Sequence, residues 1–84
     1  MAKVEWTQEA VGDLEKLDGQ VARRVVRKVG WFADNFEKVV PEPLRGEFKG
    51  LYKVRIGDWR AVYTIKSNTM TIRFIGHRRD IYER

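Results

Sequence analysis

The chain has no cysteine, which excludes disulfides and any thiolate metal site and fits a reducing compartment. Its single histidine, His77, cannot by itself make a histidine-ligated metal centre, and its carboxylates do not gather near its densest cations. That combination argues against a metal-dependent nuclease. The only serine, Ser67, falls in a turn-forming Ser-Asn pair, which argues against a serine hydrolase. No apolar run approaches the roughly 20 residues that span a bilayer. The opening stretch, MAKVEWTQEA, lacks the apolar centre of a signal peptide. These absences predict a soluble, cytoplasmic protein with no membrane role and no cofactor.

What is present fits a small globular domain. Apolar residues make up 43% of the 84, with three Trp, three Tyr and four Phe, enough for one core and one domain over residues 1–84. The net charge of +5 is unevenly spread. Residues 1–42 hold seven Lys/Arg and eight Asp/Glu; residues 43–84 hold ten and four. A basic second half points to nucleic acid or to an acidic protein partner.

Along the chain, Val4 and Trp6 alternate with Lys3 and Glu5, predicting a short strand. Thr7 is placed to cap a first helix whose stripe is Ala10, Val11, Leu14 and Leu17. Asp18-Gly19 ends it. A second helix is expected over 20–36, with Val21, Val25, Val29, Phe32 and Phe36 on one face and Arg23, Arg24, Arg27 and Lys28 elsewhere. The tight break predicts an antiparallel helical hairpin. Pro41 and Pro43 stop regular structure between Val39 and Gly46.

The remainder reads as a three-stranded antiparallel meander. Gly57-Asp58 is a two-residue hairpin turn, which sets Ile56 opposite Trp59, Arg55 opposite Arg60, Val54 opposite Ala61 and Lys53 opposite Val62. A turn at Ser67-Asn68 sets Ile65 opposite Met70, and continued pairing sets Val62 opposite Arg73 and Arg60 opposite Ile75. Alternation then gives a core face of Tyr52, Val54, Ile56, Trp59, Ala61, Tyr63, Ile65, Met70, Ile72 and Phe74. The opposite face holds Lys53, Arg55, Arg60, Val62, Arg73 and Ile75, and no acid from these strands. The fold class is α+β: a strand, two helices, then a meander with the helices on one face.

Arg55 opposite Arg60 is a destabilising like-charge pair, and an unbroken row of cations suits phosphate. Cleavage of a phosphodiester here would rest on Lys, Arg, Tyr and His. RNA supplies its own nucleophile, the 2′-hydroxyl, so the protein needs charge stabilisation, a base and an acid.

The order of a strand, two helices, Leu44-Arg45-Gly46, Tyr52-Lys53-Val54-Arg55, Trp59-Arg60-Ala61-Val62-Tyr63 and Gly76-His77-Arg78-Arg79-Asp80-Ile81-Tyr82 resembles the RelE/ParE superfamily of toxins over essentially the whole chain. The RelE branch is the nearer likeness. That resemblance implies a toxin of a type II toxin–antitoxin pair, a metal-independent endoribonuclease that cuts mRNA in the ribosomal A site and leaves a 2′,3′-cyclic phosphate. A cognate, RelB-like antitoxin with an acidic segment would neutralise it. The resemblance further implies a catalytic set of Lys53, Arg55, Arg60, Arg78 and Tyr82. Arg60 would hold the scissile phosphate, Arg78 would act as general acid, and Tyr82 would orient the substrate. Arg45, Lys49, Arg73, His77 and Arg79 are the expected RNA-binding residues.

Arg55 departs from the family pattern, which has a lysine there. A guanidinium stabilises charge but is a poor base, leaving Tyr82 or His77 for that role. Two other readings share the fold: a ParE-like inhibitor of DNA gyrase, and a catalytically weak RNA- or antitoxin-binding homologue. Trp6 and Trp31 carry no functional signal in the sequence.

Overall fold

The computed structural model describes residues 1–45 and 49–83. Strand β1 (Lys3–Trp6) leads into helix α1 (Gln8–Lys16), and α2 (Gly19–Asp34) follows after a two-residue break. A 3₁₀ turn at Phe36–Lys38 precedes a two-residue strand, β2 (Glu42–Pro43). Then come β3 (Tyr52–Ile56), β4 (Trp59–Lys66), β5 (Thr69–His77) and a 3₁₀ turn at Ile81–Glu83.

Thr7 caps α1 as expected, its Oγ1 accepting the Ala10 N–H at 3.1 Å. Asp18 caps α2 through the Gln20 N–H at 3.1 Å. The second helix ends at Asp34, and Phe36 lies in the 3₁₀ turn beyond it. Among the described residues no helix is long and apolar enough to cross a membrane.

The sheet is larger than the expected meander. It has five strands in the order β1-β5-β4-β3-β2, with β1 parallel to β5 and the remaining pairs antiparallel. The chain crosses over through α1 and α2 before the sheet is completed, so β1 finds its partner from the far end of the sequence. Two helices over one face of this sheet make it α+β.

The β3–β4 register is the predicted one, from Ile56 opposite Trp59 to Lys53 opposite Val62. Gly57 takes φ +58° at the first turn position, which a Cβ would strain. At the second turn Ser67 and Asn68 both have positive φ, and Ile65 pairs with Met70. The predicted pairing then fails. Val62 faces Phe74, not Arg73, and Arg60 faces Gly76, not Ile75, because β5 carries a bulge opposite Val62 and Tyr63.

The first helix stabilises that bulge. Thr7 Oγ1 donates to the Arg73 carbonyl at 2.8 Å, and the Asp13 carboxylate accepts the Ile75 N–H at 2.8 Å. Backbone groups freed from the ladder are thereby satisfied. Phe74 and Ile75 consequently exchange faces. Ile75 joins the helix-side core with Val25, Val29, Tyr63, Met70 and Ile72. Phe74 joins a second cluster on the opposite face, with Leu44, Val62, Ile81 and Leu51. Val11, expected in the core stripe, is exposed.

Candidate functional site

The face away from the helices is not an open row of cations. Ile81 and Leu44 are buried against Val62 at its centre, so the chain's tail and the segment after β2 lie across it. The charged groups stand around this small core.

Lys53 projects from β3 beside Val62 and is only 7% exposed. Such burial requires partners for the ammonium. Its Nζ lies 3.2 Å from the Tyr82 hydroxyl and 3.8 Å from Glu42 Oε2. Glu42 forms a bidentate ion pair with Arg55: Nε lies 2.9 Å from Oε1, and Nη2 contacts Oε2. The hydrogen bond from Arg55 holds the Glu42 carboxyl below its usual range, assisted by the positive charges of Arg55, Lys53 and Arg60 and opposed by partial burial.

Tyr82 responds to opposing effects. Burial pushes its phenol up. The Lys53 hydrogen bond, the Arg45 backbone N–H and both positive charges outweigh that and leave the pKa below its ordinary value. The same contacts bring Arg45, exposed at the end of its segment, next to Tyr82.

Arg60 turns back onto the β3–β4 hairpin, where Nη1 donates to the Gly57 and Trp59 carbonyls at 2.8 and 2.9 Å. Desolvation, followed by repulsion from Arg55 and Arg78, lowers its pKa. Arg78 approaches the same hairpin from the tail. Its backbone N–H donates to the Asp58 carbonyl at 2.8 Å, and Nε stands 3.5 Å from the Asp58 carboxylate. The five expected catalytic residues thus form two groups on one surface. Lys53, Arg55 and Tyr82 meet around Glu42, and Arg60 and Arg78 flank the Gly57-Asp58 turn.

The expected RNA-binding set is dispersed. Arg73 remains on this face, with Nε donating to Thr64 Oγ1 at 3.1 Å. Lys49 is exposed in the turn before β3. Gly46, part of the Leu44-Arg45-Gly46 motif, lies outside the described residues. His77 does not reach the cationic face. It pairs with Trp59 on the helix side of the sheet, ring to ring at 5.4 Å and edge-on. Its Nδ1 accepts the Arg79 N–H at 3.3 Å, and Arg79 itself is exposed. The extra residue of the bulge shifts His77 by one position, and in a strand that reverses the face.

Glu42 is the site residue that the sequence did not reveal. No strand of the meander supplies an acid to this face, as expected; a fourth strand does. The only signal was indirect. Lys53, Arg55 and Arg60 need a counter-charge, and Pro41-Glu42-Pro43 offers an acid whose backbone is fixed by two prolines. Among the described residues no three His, Asp or Glu side chains come together as a metal site.

Residues 4–82 match the family model of the ParE toxin of the type II toxin–antitoxin system parDE. Toxin RelG of Mycobacterium tuberculosis is 34% identical over 83 residues, which cover 96% of this chain and 95% of that toxin. In the crystal structure of the toxin–antitoxin complex RelBE2 from Mycobacterium tuberculosis, one chain superposes with a TM-score of 0.79 at 31% identity, covering 92% of this chain and 98% of that one. The isolated E. coli RelE toxin shares the fold, with a TM-score of 0.73 at 17% identity over 92% of this chain and 84% of its own. The bulged five-stranded sheet under two helices, the charged face and these matches have one meaning: the chain belongs to the RelE/ParE superfamily and is a toxin of the type II toxin–antitoxin class.

Proposed function

We propose that this toxin cleaves mRNA on the ribosome by driving the substrate's own 2′-hydroxyl against the adjacent phosphate. The observation that carries this reading is the arrangement around Lys53: a buried ammonium with the Tyr82 phenol on one side and the Glu42 carboxylate on the other. An acid and a base with a cation between them is what a cyclising phosphodiester cleavage requires.

In this mechanism an incoming phosphate takes the Arg55 fork from Glu42. The freed carboxylate rises toward its ordinary range and accepts the 2′-hydroxyl proton. The 2′-oxygen bonds to phosphorus as the bond from phosphorus to the 5′-oxygen breaks. Tyr82, protonated at neutral pH yet more acidic than an ordinary phenol, gives its proton to the leaving 5′-oxygen. Lys53 stabilises the charge that builds on the phosphate. Arg60, Arg78 and Arg45 hold the flanking backbone. Arg78 is better suited to this role than to giving up a proton, since a guanidinium stays charged. The products are a 2′,3′-cyclic phosphate and a 5′-hydroxyl, formed without a metal ion.

The neutralising partner in this reading is a RelB-like antitoxin. Solved relatives from Mycobacterium tuberculosis and Methanococcus jannaschii are toxin–antitoxin complexes, and the cationic surface favours an acidic segment.

Translation of a defined mRNA in a reconstituted system, with 5′ ends mapped, tests the reading. A cut that needs ribosomes and vanishes in Lys53→Ala and Tyr82→Phe is expected. The matching ParE family model favours one other reading, inhibition of DNA gyrase. Intact mRNA together with arrested supercoiling would establish that reading instead.

A further inference from the structure

The bulge in β5 decides which side chains reach the cleavage face, and the hydrophobic pattern alone does not specify it. Arg73 is the extra residue: Ile72 pairs with Tyr63, and Phe74 pairs with Val62. An unbulged strand would set Arg73 opposite Val62 and turn every later residue over. Either arrangement presents an apolar side chain to the helices, Ile75 with the bulge and Phe74 without it. Apolar burial, which usually fixes register, therefore discriminates poorly at this point.

For the cleavage face the two arrangements differ sharply. With the bulge, Gly76 faces Arg60, and His77 pairs with Trp59 on the helix side. Arg78 then falls on the cationic face, near enough to Arg60 for their charges to repel, with its N–H on the Asp58 carbonyl at 2.8 Å. Phe74 packs with Leu44, Val62 and Ile81 beneath the tail, whose Tyr82 meets Lys53. Without the bulge, alternation would send Arg78 toward the helices, put His77 on the cationic face and take Phe74 out of the small core.

What separates the two registers is polar. The Thr7 hydroxyl donates to the Arg73 carbonyl at 2.8 Å, and the Asp13 carboxylate accepts the Ile75 N–H at 2.8 Å. Both contacts fall on the bulged segment, and a hydrogen bond to an ionised acceptor is of the stronger kind. Thr7 also caps α1, so replacing it would disturb the helix as well. Asp13 lies within α1, across the sheet from Lys53, Arg78 and Tyr82.

We propose that Asp13 is a positioning residue for the cleavage site. Through the Ile75 N–H it selects the bulged register, and that register aims Arg78 and seats Phe74 under the tail that carries Tyr82. The hold on register is independent of what the toxin does; its bearing on cleavage rests on the function proposed above.

The test reads register from backbone NOEs between β4 and β5, and mRNA cleavage in the reconstituted system, for Asp13→Ala, Asp13→Asn and Met70→Ala. In Asp13→Ala the pairing of Val62 is expected to move from Phe74 to Arg73, the Trp59–His77 ring contact to vanish, and cleavage to fall by about 10²-fold. Asp13→Asn keeps an acceptor oxygen and should retain the native register and most of the cleavage. Met70→Ala weakens the core without touching the bulge and should also retain the register. Deleting Arg73 removes the extra residue, so Phe74 meets Val62 with no bulge to hold, and in that background Asp13→Ala should leave the register unchanged. If Asp13→Ala fails to fold in the full chain, it should fold once Arg73 is deleted; failure in both backgrounds overturns the proposal. Native register in Asp13→Ala overturns it, as does a shifted register with undiminished cleavage. A wild type that makes no ribosome-dependent cut sinks the nuclease reading, while the NOEs still decide whether Asp13 sets the register.

Discussion

On the helix side of the sheet, Tyr63, Met70 and Ile72 are fully buried beneath α1 and α2. On the other side, a small core of Leu44, Val62 and Ile81, with Leu51 and Phe74 packed against it, holds down the tail. The same strands supply both. Large apolar side chains gain most by stacking together, and Phe32, Phe36, Tyr52 and Tyr63 do so with ring centroids about 6 Å apart. The small core does less for stability and more for position. Ile81 is next to Tyr82, and fixing one places the other against Lys53. One face is built to persist and the other to present charge.

That division can be broken from either side. The largest expected effect is on activity. Glu42→Gln removes the proposed base, and RNA cleavage should fall by about 10²–10⁴-fold, with a smaller loss of thermal stability because the buried Lys53 ammonium loses its carboxylate partner but keeps Tyr82. Next, Met70→Ala and Ile81→Ala should separate the two cores. Met70→Ala should cost about 2–5 kcal/mol in denaturant unfolding. Ile81→Ala should cost less, since the tail opens locally, yet it should weaken cleavage more by releasing Tyr82. Equal unfolding costs and equal activities would erase the distinction.

A smaller effect is expected at Tyr63, whose buried hydroxyl has no hydrogen-bond partner among the described residues. Tyr63→Phe should raise stability by about 1 kcal/mol at neutral pH. Burial also pushes the Tyr63 phenol up to about 12. With the folded pKa above the unfolded one, this contribution is complete below about pH 10 and is lost as pH rises through about 12. Alkaline unfolding of the wild type should therefore include a step that Tyr63→Phe lacks. The subtlest change concerns pH dependence. Arg55 holds Glu42 ionised to lower pH than usual, so Arg55→Ala should move the acid limb of cleavage by the free enzyme upward, toward the ordinary carboxylate range.

The same two faces differ in how much of them the sequence disclosed. The β3–β4 hairpin was legible because a two-residue Gly57-Asp58 turn permits one register. The helix-side core was legible from periodicity. The bulge was not, because nothing local to Arg73, Phe74 and Ile75 marks it. It is held by Thr7 and Asp13, some 60 residues earlier. One inserted residue then reassigned Phe74, Ile75 and His77 to the opposite faces. The resemblance to the toxin family named the residues that meet at Lys53, but Glu42 escaped because prolines on both sides made it look like linker. Its position depends on a strand only two residues long.

The central claim is that this face makes the RNA's own 2′-hydroxyl the nucleophile. The most direct measurement places a single 2′-deoxynucleotide at the mapped cut in an otherwise identical mRNA, in the same reconstituted translation reaction. The expected result is that ribosomes engage the message normally and the cut disappears at that position alone. Undiminished cleavage at the deoxynucleotide would contradict the mechanism.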